Sequence, residues 1–371
     1  MPEPFFRSTI SPCKAYTRVV PDIRYRGWKM KIVAFEVEGW EKQQFEPLQA
    51  NHEVLFTENT VNEDLPADFL DADIISVFIY SSLDAETLSK FRFLKLIVTR
   101  STGYNHIDLD YCRQHNISVS NDPSYGPSTV AEHVFALIHA ISRHIPEAVE
   151  RTRRGDFSIK GLRGFDLRGK TLGVIGTGDI GINVIKIARG YDMEVVAFDV
   201  RPDHEKEKKM GFHYLDMDTL LGSSDIITLH VPGIEQTRNM IDAPQFDRMK
   251  KGVVIINTAR GSIINAQALL KALHEGKVGG AGIDVLNSES SIREETELLR
   301  SVFSKKGDCP DLLMDMILAD MPNVIVTPHI AFDTIEAVER LLKTGVDNIL
   351  SFIEGHQQNV IVGSRPDKVG V

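Results

Sequence analysis

Three polar side chains in the second half of the sequence each follow a short apolar run. Arg260 comes after "VVIINTA", Asp284 comes after "GGAGI", and His329 comes after "NVIVTP". Ligands of open α/β sheets bind beyond the carboxyl ends of the strands, so these side chains are expected to converge on one site. An arginine offers a planar pair of donors to a carboxylate, and a histidine exchanges a proton near neutral pH. The pattern indicates acid–base chemistry on an anion, because an arginine at the mouth of a buried strand is costly unless an anion meets it.

A fourth polar residue, Glu289, lies five residues after Asp284. A carboxylate beside a histidine holds the ring and favours the imidazolium. Each residue also has a structural alternative, because Arg260 could form an ion pair and Glu289 could be a solvated loop charge. Most of the 12 histidines must lie on the surface or in packing positions. Three other histidines also lie in motif-like contexts: His106, His133 and His230.

A glycine motif precedes these residues in the chain. In "TLGVIGTGDIGINVIKIARG", Gly176, Gly178 and Gly181 have the spacing G-x-G-x-x-G between a predicted strand and a predicted helix. The first glycine permits the tight turn, the second lets the backbone approach a pyrophosphate, and the third allows close packing of helix on strand. The helix N-terminus would face the phosphates. The spacing alone is weak, and the alternative is a glycine turn that binds no ligand, but the surrounding strand and helix favour a dinucleotide site.

The next predicted strand, "EVVAFD", ends at Asp199, 18 residues after Gly181. A carboxylate at this point accepts hydrogen bonds from the adenosine ribose hydroxyls and repels a 2′-phosphate. This favours NAD over NADP as the cofactor. Arg201, two residues later, is the one feature that would tolerate the extra phosphate of NADP.

The totals restrict the class of protein. A chain of 371 residues with a formal charge of −10 is expected to form two globular domains and not to bind nucleic acid. No apolar run of about 18 residues predicts a membrane span. The three cysteines (Cys13, Cys112 and Cys309) have no metal-type spacing or disulfide framework, which favours a reducing cytoplasm. No clustered Cys/His set suggests a metal site.

Short apolar runs alternate with helical patterns from Met30 onward, which predicts parallel sheets covered by helices. The expected fold is α/β, with two Rossmann/flavodoxin-like parallel-sheet domains and a cleft between them. Residues 30–126 and 328–371 would form a substrate domain, and residues 127–327 an NAD-binding Rossmann domain. The segment "STVAEHVFALIHAISRHIPEAVERTRRGDF" is predicted to be one long helix, capped by Ser128. The basic residues 1–29 would be an N-terminal extension, unless translation begins at Met30.

These motifs together resemble the D-isomer-specific 2-hydroxyacid dehydrogenases, and most closely the NAD-dependent D-lactate branch of that family. The resemblance rests on "GVIGTGDIG", "NTARG", "GIDV" with Glu289, and "TPH", in that order, and extends from about Met30 to Gly355. It implies that Arg260 binds the substrate carboxylate and carbonyl, and that His329, paired with Glu289, is the acid/base. The reaction would be a reversible hydride transfer between NADH and C2 of a 2-oxo acid.

The resemblance also implies residues for substrate and cofactor. The implied substrate residues are the backbone amides of Thr102 and Gly103 and the aromatic side chains of Tyr80, Tyr125 and Phe332, which would leave room for a methyl group and so favour pyruvate. The implied cofactor residues are Gly176, Thr177, Gly178, Asp179, Ile180, Gly181, Asp199, His230, Val231, Pro232, Thr237, Thr258, Ala259, Arg260 and Asp284. The long helix and the arm at about 128–168 resemble the family's dimer-forming segment, which implies a homodimer.

Two features depart from the family pattern. Ser290 stands where many members have a proline after the glutamate, so Glu294 or Glu295 could compete with Glu289 for its role. The segment 290–321 is interpreted as a helical insertion over the cleft, with a surface decoration as the alternative. Glyoxylate/hydroxypyruvate reductases would use the same machinery on another substrate. The NAD(H)-sensing corepressors of this superfamily keep similar residues in a binding protein.

Overall fold

The computed structural model describes residues 28–123, 126–286 and 309–363, with the backbone alone described for 309–312. Four sequence-based predictions fall wholly or partly outside these ranges. They are residues 1–27 of the extension, Tyr125, Glu289 with its alternatives, and residues 290–308 of the insertion. The chain divides into two compact units. The first comprises 1–123 and 339–371, and the second comprises 124–338. Residues 328–338, predicted to belong to the substrate domain, therefore lie in the second unit.

The first unit contains a six-stranded sheet of order β13-β5-β4-β3-β1-β2. Five strands are parallel, and β13 pairs antiparallel with β5. The order of the first five strands is that of a flavodoxin-like sheet. The strands are β1 (Lys31–Ala34), β2 (Glu53–Phe56), β3 (Ile74–Val77), β4 (Leu96–Thr99), β5 (Ser118–Ser120) and β13 (Val360–Val362). The helices are α1 (Glu46–Gln49), α2 (Ala85–Leu88) and α3 (Leu109–Gln114).

The second unit contains a seven-stranded parallel sheet of order β12-β11-β10-β9-β6-β7-β8. Its central strands are buried on both faces, as is typical of parallel sheets covered by helices. The strands are β6 (Thr171–Ile175), β7 (Glu194–Phe198), β8 (His213–Tyr214), β9 (Ile226–Leu229), β10 (Val253–Asn257), β11 (Val278–Ile283) and β12 (Val324–Val326). Two parallel-sheet α/β units confirm the predicted fold class.

The remaining helices follow the chain in order. They are α4 (Pro127–Ser142), α5 (Ile145–Arg153), α6 (Asp179–Gly190), α7 (His204–Met210), α8 (Met217–Ser223), α9 (Ala243–Arg248), α10 (Ala266–His274), α11 (Cys309–Asp320) and α12 (Ile335–Ile353). Leu318 of α11 is buried in the core of the second unit, which excludes a pure surface decoration for this part of the insertion. Within the described ranges, no helix is long and apolar enough to cross a membrane.

The predicted long helix from Ser128 is two helices, so that prediction is wrong. α4 ends at Ser142, and His144 then takes a left-handed conformation with φ of 51°. Pro146 occupies the first turn of α5. A proline has no N–H to donate and fits the first turn of a helix much better than its interior. The chain therefore starts a new helix at Ile145.

Candidate functional site

The carboxyl ends of neighbouring strands in the second unit bring the predicted polar residues to one edge of the sheet. Asn257 at the end of β10 pairs with Ile283 at the end of β11, which in turn pairs with Val326 at the end of β12. Arg260, Asp284 and His329 follow these strand ends by three, one and three residues. Open α/β sheets bind ligands beyond the carboxyl ends of their strands, so the three residues lie where the sequence predicts a site.

The glycine loop follows β6 at the same edge. Gly176 has a φ of 96°, and a Cβ atom there would lie 2.5 Å from the carbonyl oxygen of His230. A Cβ atom on Gly181 would lie 2.1 Å from the carbonyl oxygen of Gly176, so α6 could not pack this closely with a larger residue. A Cβ atom on Gly178 would meet no atom within 4 Å, which leaves its backbone open to a ligand. These are the three roles that the spacing predicts.

The N-terminus of α6 begins at Asp179, directly after the loop. The N-cap residue is Gly178, and no side chain caps the helix. The first N–H groups of an uncapped helix carry partial positive charge and favour phosphate. The Ile180 side chain packs against buried apolar side chains of the second unit. Its predicted contact with the cofactor would therefore be made by its backbone.

Asp199 follows β7 and receives hydrogen bonds from the glycine loop. Its Oδ2 atom accepts from the backbone N–H of Thr177 at 2.7 Å and from the Thr177 hydroxyl at 2.9 Å. Its Oδ1 atom accepts from the backbone N–H of Arg201 at 2.9 Å. Burial raises the pKa of this carboxyl, but these hydrogen bonds outweigh burial and lower it overall. Asp199 is therefore an ionised acceptor joined to the loop, as an adenosine ribose site requires.

Two buried polar atoms at adjacent strand ends lack a hydrogen-bond partner among the described residues. They are Nδ1 of His230 and the hydroxyl of Thr258. The two residues follow Leu229 and Asn257, which are paired across β9 and β10. Burial lowers the pKa of His230 to about 3, so its ring is neutral at physiological pH. Unpartnered buried polar atoms are costly, and a polar ligand at this edge would satisfy them.

Three further predicted cofactor residues, Val231, Pro232 and Thr237, lie on the loop after β9. Thr237 donates its hydroxyl to the carbonyl oxygen of Pro232 at 2.5 Å and accepts from the N–H of Ile234 at 3.0 Å. It therefore fixes the turn from within. Val231 packs beside the glycine loop, since its side chain would lie 3.1 Å from a Cβ atom on Gly176.

Arg260 follows the buried end of β10 but is itself exposed, so its charge stays in contact with solvent. A 3-10 turn begins directly after it and carries this part of the chain beyond the sheet. Its guanidinium donates to the carbonyl oxygen of Ala259 at 2.6 Å, and Asn257 donates to its backbone oxygen at 2.9 Å. A Cβ atom on Gly233 would lie 2.7 Å from its Cγ, so a glycine there makes room for the side chain. The cation is thus held in place at the surface.

Asp284 holds the loop that carries His329. Its side chain is 0% exposed. Its Oδ1 atom accepts from the Thr327 hydroxyl at 2.5 Å and the Ile330 N–H at 3.0 Å, and its Oδ2 atom accepts from the Ala331 N–H at 2.9 Å. Nε2 of His133 on α4 lies 3.5 Å from the same carboxylate. The sequence predicts a cofactor contact for Asp284, and the structure gives this residue a structural role as well.

His329 takes a left-handed backbone conformation, with φ of 56°. Its N–H donates to the carbonyl oxygen of Thr327 at 2.9 Å. Its ring meets the edge of Phe332 at a centroid distance of 6.1 Å and an interplanar angle of 78°. A non-glycine residue in this conformation is strained and is kept there by its surroundings. The hydrogen bonds that Asp284 accepts from the N–H groups of Ile330 and Ala331 provide that restraint.

The first unit presents the remaining predicted substrate residues beyond its own strand ends. The carbonyl oxygen of Thr102 accepts from Asn121 at 2.9 Å, and that of Gly103 accepts from the Ser101 hydroxyl at 2.6 Å. The two carbonyl oxygens are thereby fixed. Tyr80 follows β3 and is 50% exposed. In the ranges that are described, no group of three or more His, Cys, Asp or Glu side chains could hold a metal ion.

Comparison with known proteins identifies the family. Residues 135–331 match the family model of the D-isomer specific 2-hydroxyacid dehydrogenase NAD-binding domain. The chain is 35% identical over 346 residues to 2-hydroxyacid dehydrogenase homolog 1 of Schizosaccharomyces pombe, which covers 90% of this chain and 99% of the relative. It is 38% identical over 283 residues to a glycerate dehydrogenase of Methylorubrum extorquens, covering 75% of this chain and 82% of the relative.

A solved structure agrees with this assignment. D-lactate dehydrogenase of Aquifex aeolicus, complexed with NAD and lactic acid, is 36% identical and has a TM-score of 0.77, covering 90% of this chain and 99% of that one. The open backbone at Gly178, the ionised Asp199 and the two unpartnered atoms at His230 and Thr258 fit the same cofactor. The chain belongs to the D-isomer-specific 2-hydroxyacid dehydrogenases, a family of NAD-dependent oxidoreductases.

Proposed function

We propose that the protein is a D-lactate dehydrogenase, which reduces pyruvate to D-lactate and catalyses the reverse oxidation. The observation that carries this proposal is the shared sheet edge, where Arg260 and His329 follow β10 and β12 while the glycine loop follows β6. A carboxylate-binding cation, a proton donor and a dinucleotide loop at one edge are the parts that reduction of a 2-oxo acid needs.

Arg260 has the chemistry to bind the substrate. Its exposed guanidinium offers two parallel N–H donors, which match the two oxygens of a carboxylate or one carboxylate oxygen and the adjacent carbonyl. Bound in this way, the cation orients C2 and draws electron density towards the carbonyl oxygen. The Gly233 contact with its aliphatic stem limits where the guanidinium can reach.

His329 supplies the proton in this proposal. NADH, when bound, supplies a hydride to C2 of the substrate. The carbonyl oxygen gains negative charge as the hydride arrives, and the protonated His329 ring transfers its proton to that oxygen. Glu289, which lies outside the described residues, is proposed to pair with the ring and favour its protonated form. In the reverse direction, neutral His329 accepts the hydroxyl proton.

The substrate side chain is proposed to be small. Phe332 is half-buried beside the His329 ring, and Tyr80 projects from the strand edge of the first unit. With Tyr125, these aromatic side chains would fill the space that a bulky 2-oxo acid needs. Hydroxypyruvate is the second candidate substrate, because it is the 2-oxo acid that corresponds to glycerate and a glycerate dehydrogenase is among the relatives of this chain. Thr102 and Gly103 are proposed to bind the substrate carboxylate through their N–H groups.

A screen of NADH oxidation over pyruvate, glyoxylate, hydroxypyruvate, 2-oxobutyrate and 2-oxoisocaproate tests the proposal. We expect the highest kcat/KM with pyruvate and D-lactate as the only product enantiomer. A higher kcat/KM with another substrate on this panel would correct the substrate. No NADH oxidation with any 2-oxo acid would contradict the enzyme function and favour a nucleotide-sensing protein.

A homodimer is proposed from the resemblance of the helix and arm at about 128–168 to the family's dimer-forming segment, and a cytoplasmic location from the three cysteines, which form no disulfide framework in the sequence pattern. Several apolar side chains of α5 and the following arm are exposed in the single chain, among them Phe157 at 78% and Ile159 at 87%. Large exposed apolar side chains in a cluster mark surfaces that other protein covers. Light scattering that gives the monomer mass of 41.5 kDa would contradict the dimer.

A further inference from the structure

Glu36 lies directly beyond β1 in the first unit and binds the turn that carries Tyr80. Its Oε2 atom accepts from the backbone N–H of Phe78 at 2.5 Å, and its Oε1 atom accepts from the backbone N–H of Tyr80 at 2.8 Å. One carboxylate thus bridges two N–H groups that are two residues apart. Each of its two oxygens accepts one of the two donors.

The backbone of Glu36 is fixed by a buried cation. Glu36 has a φ of 54°, in the left-handed region that non-glycine residues seldom occupy. The guanidinium of Arg100, which is 2% exposed, donates to the carbonyl oxygens of Phe35 and Glu36 at 2.7 Å each. The same guanidinium donates to the Ser76 hydroxyl at 3.0 Å. Arg100 therefore aims the Glu36 side chain at the turn after β3.

Burial disfavours the charged form of the Glu36 carboxyl. It raises the pKa of Glu36, and the Phe78 N–H, the charge of Arg100, the Tyr80 N–H and the Ser81 side chain only partly offset this effect. Arg100 and, through its effect on Arg100, Glu41 are the charged residues that act on this pair. Carboxyl groups perturbed in this way are frequent at functional sites.

The other end of the same turn is held by Asn62. Its Oδ1 atom accepts from the Ser82 N–H at 2.6 Å, and its Nδ2 atom donates to the Ser82 carbonyl oxygen at 2.9 Å. Residues 78–82, here called the Tyr80 turn, are therefore anchored at both ends. In the middle of this turn the Tyr80 ring is half exposed and meets the edge of Phe78 at a centroid distance of 5.4 Å.

We propose that Glu36 is a positioning residue for substrate selection, which with Asn62 fixes the Tyr80 turn so that the Tyr80 ring forms one wall of the substrate side-chain pocket. This inference rests on the proposed function, in which Tyr80 contacts the substrate. A fixed wall excludes bulky 2-oxo acids because the ring cannot yield to them. A loosened wall admits them and binds pyruvate less well.

The test is E36Q, which keeps the size of the side chain and replaces one acceptor oxygen by a donor. One of the two N–H groups would then face an NH2 group. We expect about a tenfold rise in KM for pyruvate, which is the effect of one lost hydrogen bond, with kcat changed less than threefold. The ratio of kcat/KM for 2-oxoisocaproate to that for pyruvate is expected to rise about fivefold or more. The KM for NADH stays unchanged.

E38Q is the matched control, because it removes the same charge from an exposed glutamate two residues along the chain and should leave all these constants unchanged. Y80A separates positioning from a general loss of structure. If Glu36 acts through Tyr80, E36Q adds no further change in selectivity to Y80A. Selectivity effects of E36Q and Y80A that simply add would overturn the proposal, as would an E36Q protein with wild-type KM and selectivity.

If E36Q does not fold, N62A tests the same turn from its exposed end. It is expected to shift selectivity in the same direction, and wild-type selectivity in a folded N62A protein would overturn the proposal. The result for the wild type separates the two claims. A wild-type protein that reduces no 2-oxo acid overturns the proposed function and this inference together. An active wild type with unaltered selectivity in the variants overturns the role of Glu36 alone.

Discussion

Asp284 accepts a hydrogen bond from the backbone N–H of Ala331 at 2.9 Å, two residues beyond His329. Together with the bond from Ile330, it ties the end of β11 to the loop that follows β12. The loop can therefore hold His329 in a left-handed conformation that the residue would not choose alone. A buried carboxylate, and not the histidine itself, determines where the proposed acid/base lies.

The first prediction concerns this anchor. D284N keeps the shape of the side chain but replaces one acceptor oxygen by an NH2 group, which would face an N–H or hydroxyl donor of the loop. We expect kcat for 2-oxo acid reduction to fall about 10- to 100-fold, corresponding to one or two lost hydrogen bonds in a positioning network. Steady-state kinetics with saturating NADH measures this effect. An unchanged kcat would show that His329 does not depend on Asp284.

The second prediction concerns Arg260. R260Q removes the cation and the planar pair of donors and leaves a shorter side chain with a neutral amide. Both KM for the 2-oxo acid and kcat should suffer, because the guanidinium orients the ground state and stabilises charge on the oxygen during reduction. We expect kcat/KM to fall at least about 100-fold, with R260K recovering only part of the loss. Full activity of R260K would refute bidentate binding.

The third prediction concerns stability and pH. Burial lowers the pKa of His230 from 6.5 to about 3. Between these values the unfolded chain binds a proton at this residue and the folded chain does not, so stability falls as the pH falls below the unfolded pKa. Because of this residue, we expect the free energy of unfolding of the wild type to fall by about 1–2 kcal/mol when the pH is lowered from about 7 to about 5.

H230N removes that titration, so it should lose less stability over the same interval than the wild type does. The protein without cofactor is measured by urea unfolding at both pH values. H274N, a change at an exposed histidine of α10, is the control and should retain the wild-type sensitivity. Equal acid sensitivity of wild type and H230N would contradict a neutral buried His230.

The alternation of strands and helices along the chain and the glycine loop could be predicted from the sequence, because both depend on local patterns. Apolar runs separated by helical periods predict parallel strands, and three glycines at fixed spacing suit one tight turn. The close packing of the helix at Gly181 and the placement of Asp199 after the next strand followed from that spacing. Strand ends then located Arg260, Asp284 and His329, since parallel strands place their carboxyl ends at one edge.

Long-range contacts could not be predicted in this way. Asp284 meets Thr327, 43 residues along the chain, and His133 meets Thr327 across 194 residues. Nothing local in "HVFALIH" indicates a histidine beside a buried carboxylate. The edge strands β2, β8 and β13 were not predicted, because they are short and carry little apolar periodicity. The helical apolar pattern continues across residues 143–145 and so does not reveal the left-handed residue between α4 and α5, although Pro146 is typical of a helix start.

Turnover of H329A shows whether His329 is the acid/base of the reaction. We expect kcat for pyruvate reduction to fall about 10²- to 10⁴-fold, the usual contribution of a positioned acid/base. NADH binding, followed by the change in nicotinamide fluorescence, should remain at the wild-type affinity, and H274A should keep full turnover. Wild-type kcat in H329A would contradict the proposed mechanism.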